Sequence, residues 1–282
     1  MDFIGNYEKA GKAPLLLSGE QSFGKKGSCE YQDLEYPDDC IVDFDMRLID
    51  LFKEIDKKKL TLKMQIRQEY YRVKELLDGK RPSRMDLFTY MDDEIYRICV
   101  SGSHAKENPF QHYLDFLYEL GELSEDEQEL YAGIGREFIQ TIETTEMQKV
   151  YKMPILYSFY NHGNIRLAVT DEEVLESWKE FFDTGTNWKD FPNVNTYEDY
   201  KKVTDKQHMS KAKRMPIRFL KASGKGFFVE KDGYALALRN EIGDVVWNVA
   251  FAEQMGDVLG YRSLEYYRRR YEGNRWEQKL QI

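Results

Sequence analysis

The stretch PLLLSGEQSFGKKGS, residues 14–28, contains side chains that could bind a phosphate. Gly19, Gly24 and Lys25 have the spacing G-x-x-x-x-G-K, and three leucines precede them as a strand would. A working loop also needs a Ser or Thr hydroxyl for magnesium and a helix that begins at the lysine. The next residue is Lys26, and no helical period follows it. We therefore predict a surface loop and not a nucleotide site.

A second pattern concerns metal-dependent nuclease chemistry. Asp38 follows a proline, and Asp56 and Lys58 come later, as in the pattern P-D…D-x-K. In that chemistry two carboxylates hold magnesium and the lysine steadies the attacking water, with the second acid and the lysine on a strand. Here Asp56 and Lys58 lie at the lysine-rich end of a predicted helix. We interpret them as a solvated face, and a metal-dependent nuclease is the third of three functional hypotheses.

The histidines and cysteines show no metal-ligand spacing, and the chain contains no C-x-x-C. The number of cysteines is odd and they are far apart, which indicates free thiols in a reducing cytosol. We therefore expect no metal site. The residues concerned are His104, His112, His162, His208, Cys29, Cys40 and Cys99.

The best candidate for contact with nucleic acid lies within residues 62–99. Two predicted helices meet there at a basic turn, which is typical of a helix-turn-helix unit. The second helix would direct its partial positive charge towards a phosphate backbone. The residues predicted to bind nucleic acid are Lys80, Arg81, Ser83 and Arg84. The alternative is an ordinary helical pair with a solvated turn, since the acidic residues 92–94 nearby would repel a phosphate.

Two further basic stretches are candidates for the same role. Tyrosine beside arginine can stack on bases and bind phosphates, as in proteins that bind single strands. The second stretch, residues 206–218, contributes Lys211, Lys213, Arg214 and Arg218. The third contributes Arg268, Arg269 and Arg270, interleaved with Tyr266, Tyr267 and Tyr271. For the third stretch the favoured alternative is a C-terminal helix with its aromatic rings in the core and its arginines in water.

The hydrophobic pattern that must position these residues is mainly helical. Capping boxes mark the helices that begin after Ser83, Ser124 and Thr170. Residues 184–204 are predicted as loop, and FFVEKDGYALAL at 227–238 as a β-hairpin around its Asp-Gly pair. The helix that begins after Ser124 is predicted to end at about residue 143, and the other predicted helices cover about residues 43–59, 62–77, 94–99, 110–120, 146–163 and 245–271.

Composition indicates a folded protein, because 20 Tyr and 16 Phe supply ample apolar area for a core. The net charge of −9 excludes a protein that coats nucleic acid nonspecifically, although a local basic face is compatible with it. We expect a cytoplasmic location, because no basic-then-apolar leader and no membrane-length apolar run occur. The predicted fold class is mainly α, with a helix-turn-helix-like unit and a small β-hairpin. The predicted divisions are residues 1–42, a helical region at 43–122 and a helical C-terminal domain at 123–282.

The start of the chain resembles a helicase family. DFIGNY at residues 2–7 is similar to the segment that ends the second RecA-like domain in bacterial superfamily 2 DEAD/DEAH-box helicases related to the Res subunit of type III restriction enzymes. Three later stretches resemble the C-terminal part of such helicases: QEYYRVKELLDGKRPSRMDLFTYM, KVYKMPILYSFYNHGNI and LGYRSLEYYRRRYE. The resemblance implies a non-motor region cut at Asp2, whose residues 1–42 follow a RecA-like motor. The ATP-binding loop, acidic box and arginine finger of the family have no counterpart here.

The leading hypothesis is therefore an accessory C-terminal region of a DNA helicase or restriction-type translocase, without catalytic activity of its own. ATP and magnesium are expected only in the motor domains, and the expected partners are DNA, those motor domains in cis and another protein subunit, with no membrane. Weak, salt-sensitive DNA binding is expected, with a salt slope that falls when Arg81 or Arg84 is changed to Ala. The second hypothesis is a protein-docking module of a defence or restriction complex.

Overall fold

A computed structural model describes the backbone of residues 2–5, 15–18, 60–104 and 106–279, and side chains in residues 60–102, 104 and 106–271. The chain divides into two units, residues 1–61 and 62–282. In the first unit, strand β1 (Asp2–Gly5) pairs antiparallel with strand β2 (Leu15–Ser18). The antiparallel pairing differs from the parallel sheet of a nucleotide-binding fold. Several predictions lie outside the described residues: those on Gly19, Gly24, Lys25, Asp38, Asp56 and Lys58, and on the helix at 43–59.

The second unit is built from short helices and one long one. The first group surrounds the basic turn: α1 (Leu62–Leu76), α2 (Arg84–Tyr90), α3 (Asp93–Val100) and α4 (Tyr113–Leu120). The middle group is α5 (Glu125–Ala132), α6 (Ile134–Thr144), α7 (Lys152–Tyr160) and α8 (Asp171–Asp183). The last group is α9 (Tyr197–Lys201), α10 (Asp205–Ala212), α11 (Arg218–Ser223) and α12 (Val249–Lys279).

Local sequence sets the start of several helices. All three predicted capping boxes are present: the side chain of each cap accepts from the backbone N–H three residues on, and that residue's carboxylate accepts from the cap's N–H. These pairs are Ser83 with Asp86, Ser124 with Glu127, and Thr170 with Glu173. Thr204 and Gln207 form a further capping box at α10. Pro154 lies in the first turn of α7, where its missing N–H costs no helical hydrogen bond.

The structure corrects several predictions. The helices predicted over 146–163 and 245–271 begin only at Lys152 and at Val249. The helix predicted over 125–143 is two helices, because the backbone of Gly133 is extended and ends α5. The segment 184–204, predicted as loop, contains a 3₁₀ turn at Asn187–Asp190 and helix α9, which the Thr196 side chain caps. The helix predicted over 110–120 begins only at Tyr113.

The β structure of this unit is a three-stranded antiparallel sheet. Strands β4 (Phe228–Val229) and β5 (Leu236–Leu238) form the predicted hairpin, whose turn includes Gly233 at a left-handed φ of 81°. A strand not predicted from the sequence, β3 (Ala168–Val169), pairs with the other edge of β5. The predicted fold class, mainly α with a small β element, is confirmed.

Two hydrophobic clusters form the core of the second unit, and α12 contributes to both. Helices α1 to α4 build the smaller cluster around Tyr70 and Phe110, and Tyr261 of α12 packs into it. The larger cluster includes Phe251 and Met255 of α12 together with residues of α5 to α8 and of the sheet. Helix α12 therefore contributes side chains to both clusters and links them through its own backbone. No described helix is both long and apolar enough to cross a membrane.

Candidate nucleic-acid interface

The basic turn before α2 directs Arg84 into the protein. The side chain is fully buried, and its guanidinium lies 4.4 Å from the ring centre of Tyr113. Nε lies 3.0 Å from a carboxylate oxygen of Glu143, and Nη1 lies 2.8 Å from one of Asp257 and 2.6 Å from the amide oxygen of Gln254. Two carboxylates and an amide thus surround one cation, which is how proteins accommodate buried charge. The position of Arg84 gives no support to its predicted contact with nucleic acid.

The other residues of the turn have different environments. Arg81 is partly buried and donates from Nη2 to Glu127 at 2.8 Å and from Nη1 to the Glu122 carbonyl at 3.0 Å. Ser83 is the N-cap of α2, so its hydroxyl serves the helix. Lys80 is exposed. Of the four residues predicted here, only Lys80 presents its charge openly to solvent.

The third basic stretch lies on α12, and its arginine side chains form ion pairs and hydrogen bonds with other elements of the chain. Tyr266 is buried, as the alternative interpretation of this stretch expects, whereas Tyr271 is 45% exposed. The arginines are not simply solvated, because each contacts a group of another element. Arg268 forms an ion pair with Asp93, Arg270 forms one with Asp190, and Arg269 donates to the Met147 carbonyl at 3.2 Å.

The second basic stretch contains cations without ion pairs. Lys213 pairs with Asp171. Lys211, Arg214 and Arg218 have no carboxylate within ion-pairing distance among the described residues. Arg218 lies over the ring of Phe219, 5.1 Å from its centre. Together with Lys80, these three cations are the predicted charges without an ion pair among the described residues.

Next to these cations lies a pocket of about 430 Å³. One wall is the loop 145–151 between α6 and α7, and the other is the segment around Met215 and Phe219. Lys149, Lys152 and Lys225 line the pocket, and Lys211 lies 5.0 Å from the ring of Tyr151 in its wall. We call this pocket, with Lys149, Lys152, Lys211, Arg214, Lys225 and Phe219, the basic groove.

The shape of the second wall follows from Pro216. A proline inside a helix has no N–H to donate and displaces the carbonyl one turn earlier. Here Lys213–Ile217 form a π-helical turn between α10 and α11, which is a wider winding that is frequent at functional sites. The turn places Met215 and Pro216 against the pocket.

The first wall is held by arginines of α12. Arg262 donates to the Thr145 carbonyl, and Arg269 donates to the Met147 carbonyl at 3.2 Å. These hydrogen bonds fix the backbone of the loop 145–151 against α12. The side chains of the loop that line the pocket are therefore held in position. The third basic stretch thus contributes to the groove through Arg269.

Lys152 places a buried positive charge in the basic groove. Only 9% of this residue is exposed, and its Nζ donates to hydroxyl oxygens of Thr145 at 2.9 Å and Ser223 at 3.5 Å. Burial lowers the pKa of its ammonium group, and the nearby charges of Glu146 and Arg262 oppose each other there. Among the described residues no carboxylate lies within ion-pairing distance of it, although buried ammonium groups usually have one. An anion in the groove would supply the missing charge.

The neighbouring cations act on one another. Burial lowers the pKa of Lys211, and the charges of Arg214 and Lys149 lower it further. The carboxylate lining the pocket is that of Glu146, against three lining lysines. Crowded like charges make the groove a place where an anion is attracted and a further cation is repelled.

Lys149, Lys152 and Lys225 were missed from the sequence. Each is a single lysine in a mixed segment, so a search for basic runs passes over it. Within residues 60–104 and 106–271, no group of His, Cys, Asp and Glu is arranged to hold a metal ion. Comparisons of this chain with family models, curated proteins and solved structures found no match.

Proposed function

We propose that this chain binds a nucleic-acid strand in the basic groove and presents it to a helicase or restriction-type motor, with no catalysis of its own. The observation that carries the proposal is the groove itself. Three lysines line a pocket of about 430 Å³ and two further cations, Lys211 and Arg214, lie near it; none of the five is ion-paired within the described part of the chain. Such an excess of positive charge is the electrostatic feature of a site for a phosphate backbone.

An exposed aromatic ring beside the cations supports the same function. Phe219 lines the pocket and is 42% exposed. Sites for single strands combine a basic track with rings on which bases stack. The net charge of −9 is compatible with this, because binding depends on the local patch and not on the total. The motor partner rests on the resemblance of DFIGNY and of the later stretches to the helicase family.

The test is a fluorescence anisotropy titration of the full chain with labelled single and double strands at about 50 to 200 mM salt. We expect affinity to fall steeply with salt. Changing Lys149 and Arg214 to Ala should weaken binding and reduce the salt slope by about 0.7 for each single-strand phosphate that the variant no longer neutralises. The matched control changes Lys106 and Lys231, two exposed lysines that do not line the groove, to Ala.

Two results would count against the proposal. One is the absence of binding to either strand type at low salt. The other is an equal loss of binding in the groove variant and in the control variant, which would show that net charge and not the groove determines affinity.

A protein-docking function is the second candidate, and Trp247 favours it. This tryptophan is 89% exposed, and Val249 close by is 62% exposed. Exposed tryptophan is enriched among the residues that dominate protein–protein binding. Capture of a subunit by the full chain that is lost on Trp247→Ala, without any shift of labelled nucleic acid, would favour docking over nucleic-acid binding.

A further inference from the structure

We infer that the basic groove selects the phosphorylated end of a nucleic-acid strand, with the terminal phosphate monoester at Lys152. The inference rests on the proposed function and makes it more specific. It concerns which part of the strand enters the pocket, whereas the proposed function concerns only whether a strand binds there.

The depth of Lys152 is the first reason. The residue is nine-tenths buried, and its Nζ is anchored by the hydroxyl groups of Thr145 and Ser223. These two bonds use two of the three N–H donors of an ammonium group, which leaves one for a ligand. An internal phosphodiester has a sugar on each side and would have to bring both into the pocket. A terminal phosphate is attached on one side only and can enter first.

Charge is the second reason. A phosphate monoester carries a charge of about −1.5 to −2 at neutral pH and has three strong acceptor oxygens, against a single charge for a diester. Lys149 and Lys152 line the pocket, and Lys211 beside Tyr151 adds a third positive charge to match the greater charge of the monoester. Glu146 also lines the pocket and opposes part of this positive potential, but the lining lysines outnumber it.

The apolar side of the pocket is the third reason. Met147, Met215, Pro216 and Phe219 line it beside the lysines. A volume of about 430 Å³ is within the range of small-molecule sites and suits one nucleotide, with its phosphate on the lysines and its base against the apolar side chains. The rest of the strand would leave the pocket past Lys225 and lie near Arg214, which does not line the pocket.

The experiment compares strand ends with the full chain and single strands of about 12 nucleotides, within the usual site size of such binders. One pair carries a 5′-phosphate or a 5′-hydroxyl, with the dye at the 3′ end. The other pair carries a 3′-phosphate or a 3′-hydroxyl, with the dye at the 5′ end. We expect one phosphorylated end to bind about tenfold more tightly than its hydroxyl partner. Adenosine 5′-monophosphate or adenosine 3′-monophosphate, whichever matches that end, should compete for it.

Variants assign the preference to Lys152. In Lys152→Gln the preference should fall below about twofold, because the phosphorylated strand loses more affinity than the hydroxyl-ended strand does. In Lys149→Ala both strands should bind more weakly. If Lys152→Gln does not fold, the comparison of ends and the competition by the mononucleotide on the wild-type chain decide the question.

The outcomes separate the inference from the proposed function. Equal binding of phosphorylated and hydroxyl ends, with loss of both in the Lys149 and Arg214 variant, would overturn the inference and leave the proposed function standing. A preference that survives in a folded Lys152→Gln variant would also overturn it. If no strand binds at all, the proposed function fails and the inference fails with it.

Discussion

Arg84 and Glu143 form a buried ion pair that joins the two halves of the hydrophobic core. The arginine opens α2, beside the smaller cluster, and the glutamate closes α6, beside the larger one. Their side chains are 0% and 2% exposed. Glu143 also accepts from the backbone N–H of Tyr113 at 3.2 Å, so the carboxylate is bound from two elements. The charge of Arg84 is therefore part of the fold.

The first prediction follows from this pair. Replacing Arg84 with Ala leaves Glu143 and Asp257 without their cation, and breaking a buried pair in this way costs about 3–5 kcal/mol. Urea unfolding should therefore show a lower free energy of unfolding for Arg84→Ala. Lys80→Ala changes an exposed residue of the same turn and should stay within about 0.5 kcal/mol of the wild type. An Arg84→Ala variant with normal stability and abolished nucleic-acid binding would instead favour a direct role of this arginine at the strand.

The second prediction concerns pH and His208. This histidine is buried beside Phe191 and Tyr200, and its Nδ1 has no hydrogen-bond partner within the part of the chain that is described. Burial lowers its pKa, and the charge of Lys179 lowers it further. The carboxylates of Asp183 and Asp205 have the opposite effect.

The sign of the effect follows from that lowered pKa. Below about pH 6.5 the unfolded chain takes up a proton at His208 that the folded chain still excludes. The stabilising contribution is fully present above that pH and is lost as the pH falls from there to the folded-state pKa. In His208→Phe this part of the pH dependence of unfolding should disappear, whereas His104→Phe, at a partly exposed site, should keep it. Identical pH profiles for the wild type and His208→Phe would contradict the prediction.

The capping residues and the turn show which features are predictable from sequence alone. A Ser or Thr with an acid three residues later provides hydrogen-bond acceptors for the free backbone N–H groups at a helix start. Ser83, Ser124 and Thr170 could therefore be identified as helix caps without any tertiary information. The Asp-Gly pair of the hairpin is equally local. The extended Gly133 within the helix predicted over 125–143 has no comparable signal, because glycine is tolerated inside helices at modest cost.

The charged groups show why the site was only partly predictable. Arg84 and its partner Asp257 are 173 residues apart in the chain, and no local pattern reveals that a basic run will meet an acid so far away. Likewise, Lys152 reaches a hydroxyl 71 residues away, at Ser223. The basic groove is assembled by packing α7 against the π-helical turn, so its lysines come from separate segments. Of the predicted basic residues, Lys211 and Arg214 belong to the groove.

The third prediction tests the aromatic wall of the groove. If bases stack on Phe219, then Phe219→Ala should weaken binding of a single strand by about 1–3 kcal/mol for each base stacked on it. The matched control is Tyr234→Ala, because Tyr234 is an aromatic residue of nearly the same exposure, 43% against 42%, that does not line the groove. Anisotropy titrations measure both. Equal affinity in the two variants would show that the ring is not used.

The fourth prediction concerns Cys99. The residue is fully buried in the smaller cluster, and burial raises the pKa of its thiol to about 12. Because the thiolate is the reactive form, iodoacetamide at about pH 8 should leave Cys99 of the folded chain unmodified and should modify it in urea. Peptide mass spectrometry distinguishes Cys99 from the other cysteines. Rapid modification of Cys99 without denaturant would show that the smaller cluster opens readily.

Photocross-linking tests the central claim, that a nucleic-acid strand lies in the basic groove, most directly. The full chain is irradiated with a single strand that carries a photoreactive base, and the cross-linked peptides are identified by mass spectrometry. We predict cross-links within residues 145–152 and 215–225, which disappear when Lys149 and Arg214 are changed to Ala. Cross-links confined to the turn at 80–84 or to the surface around Trp247 would contradict the account.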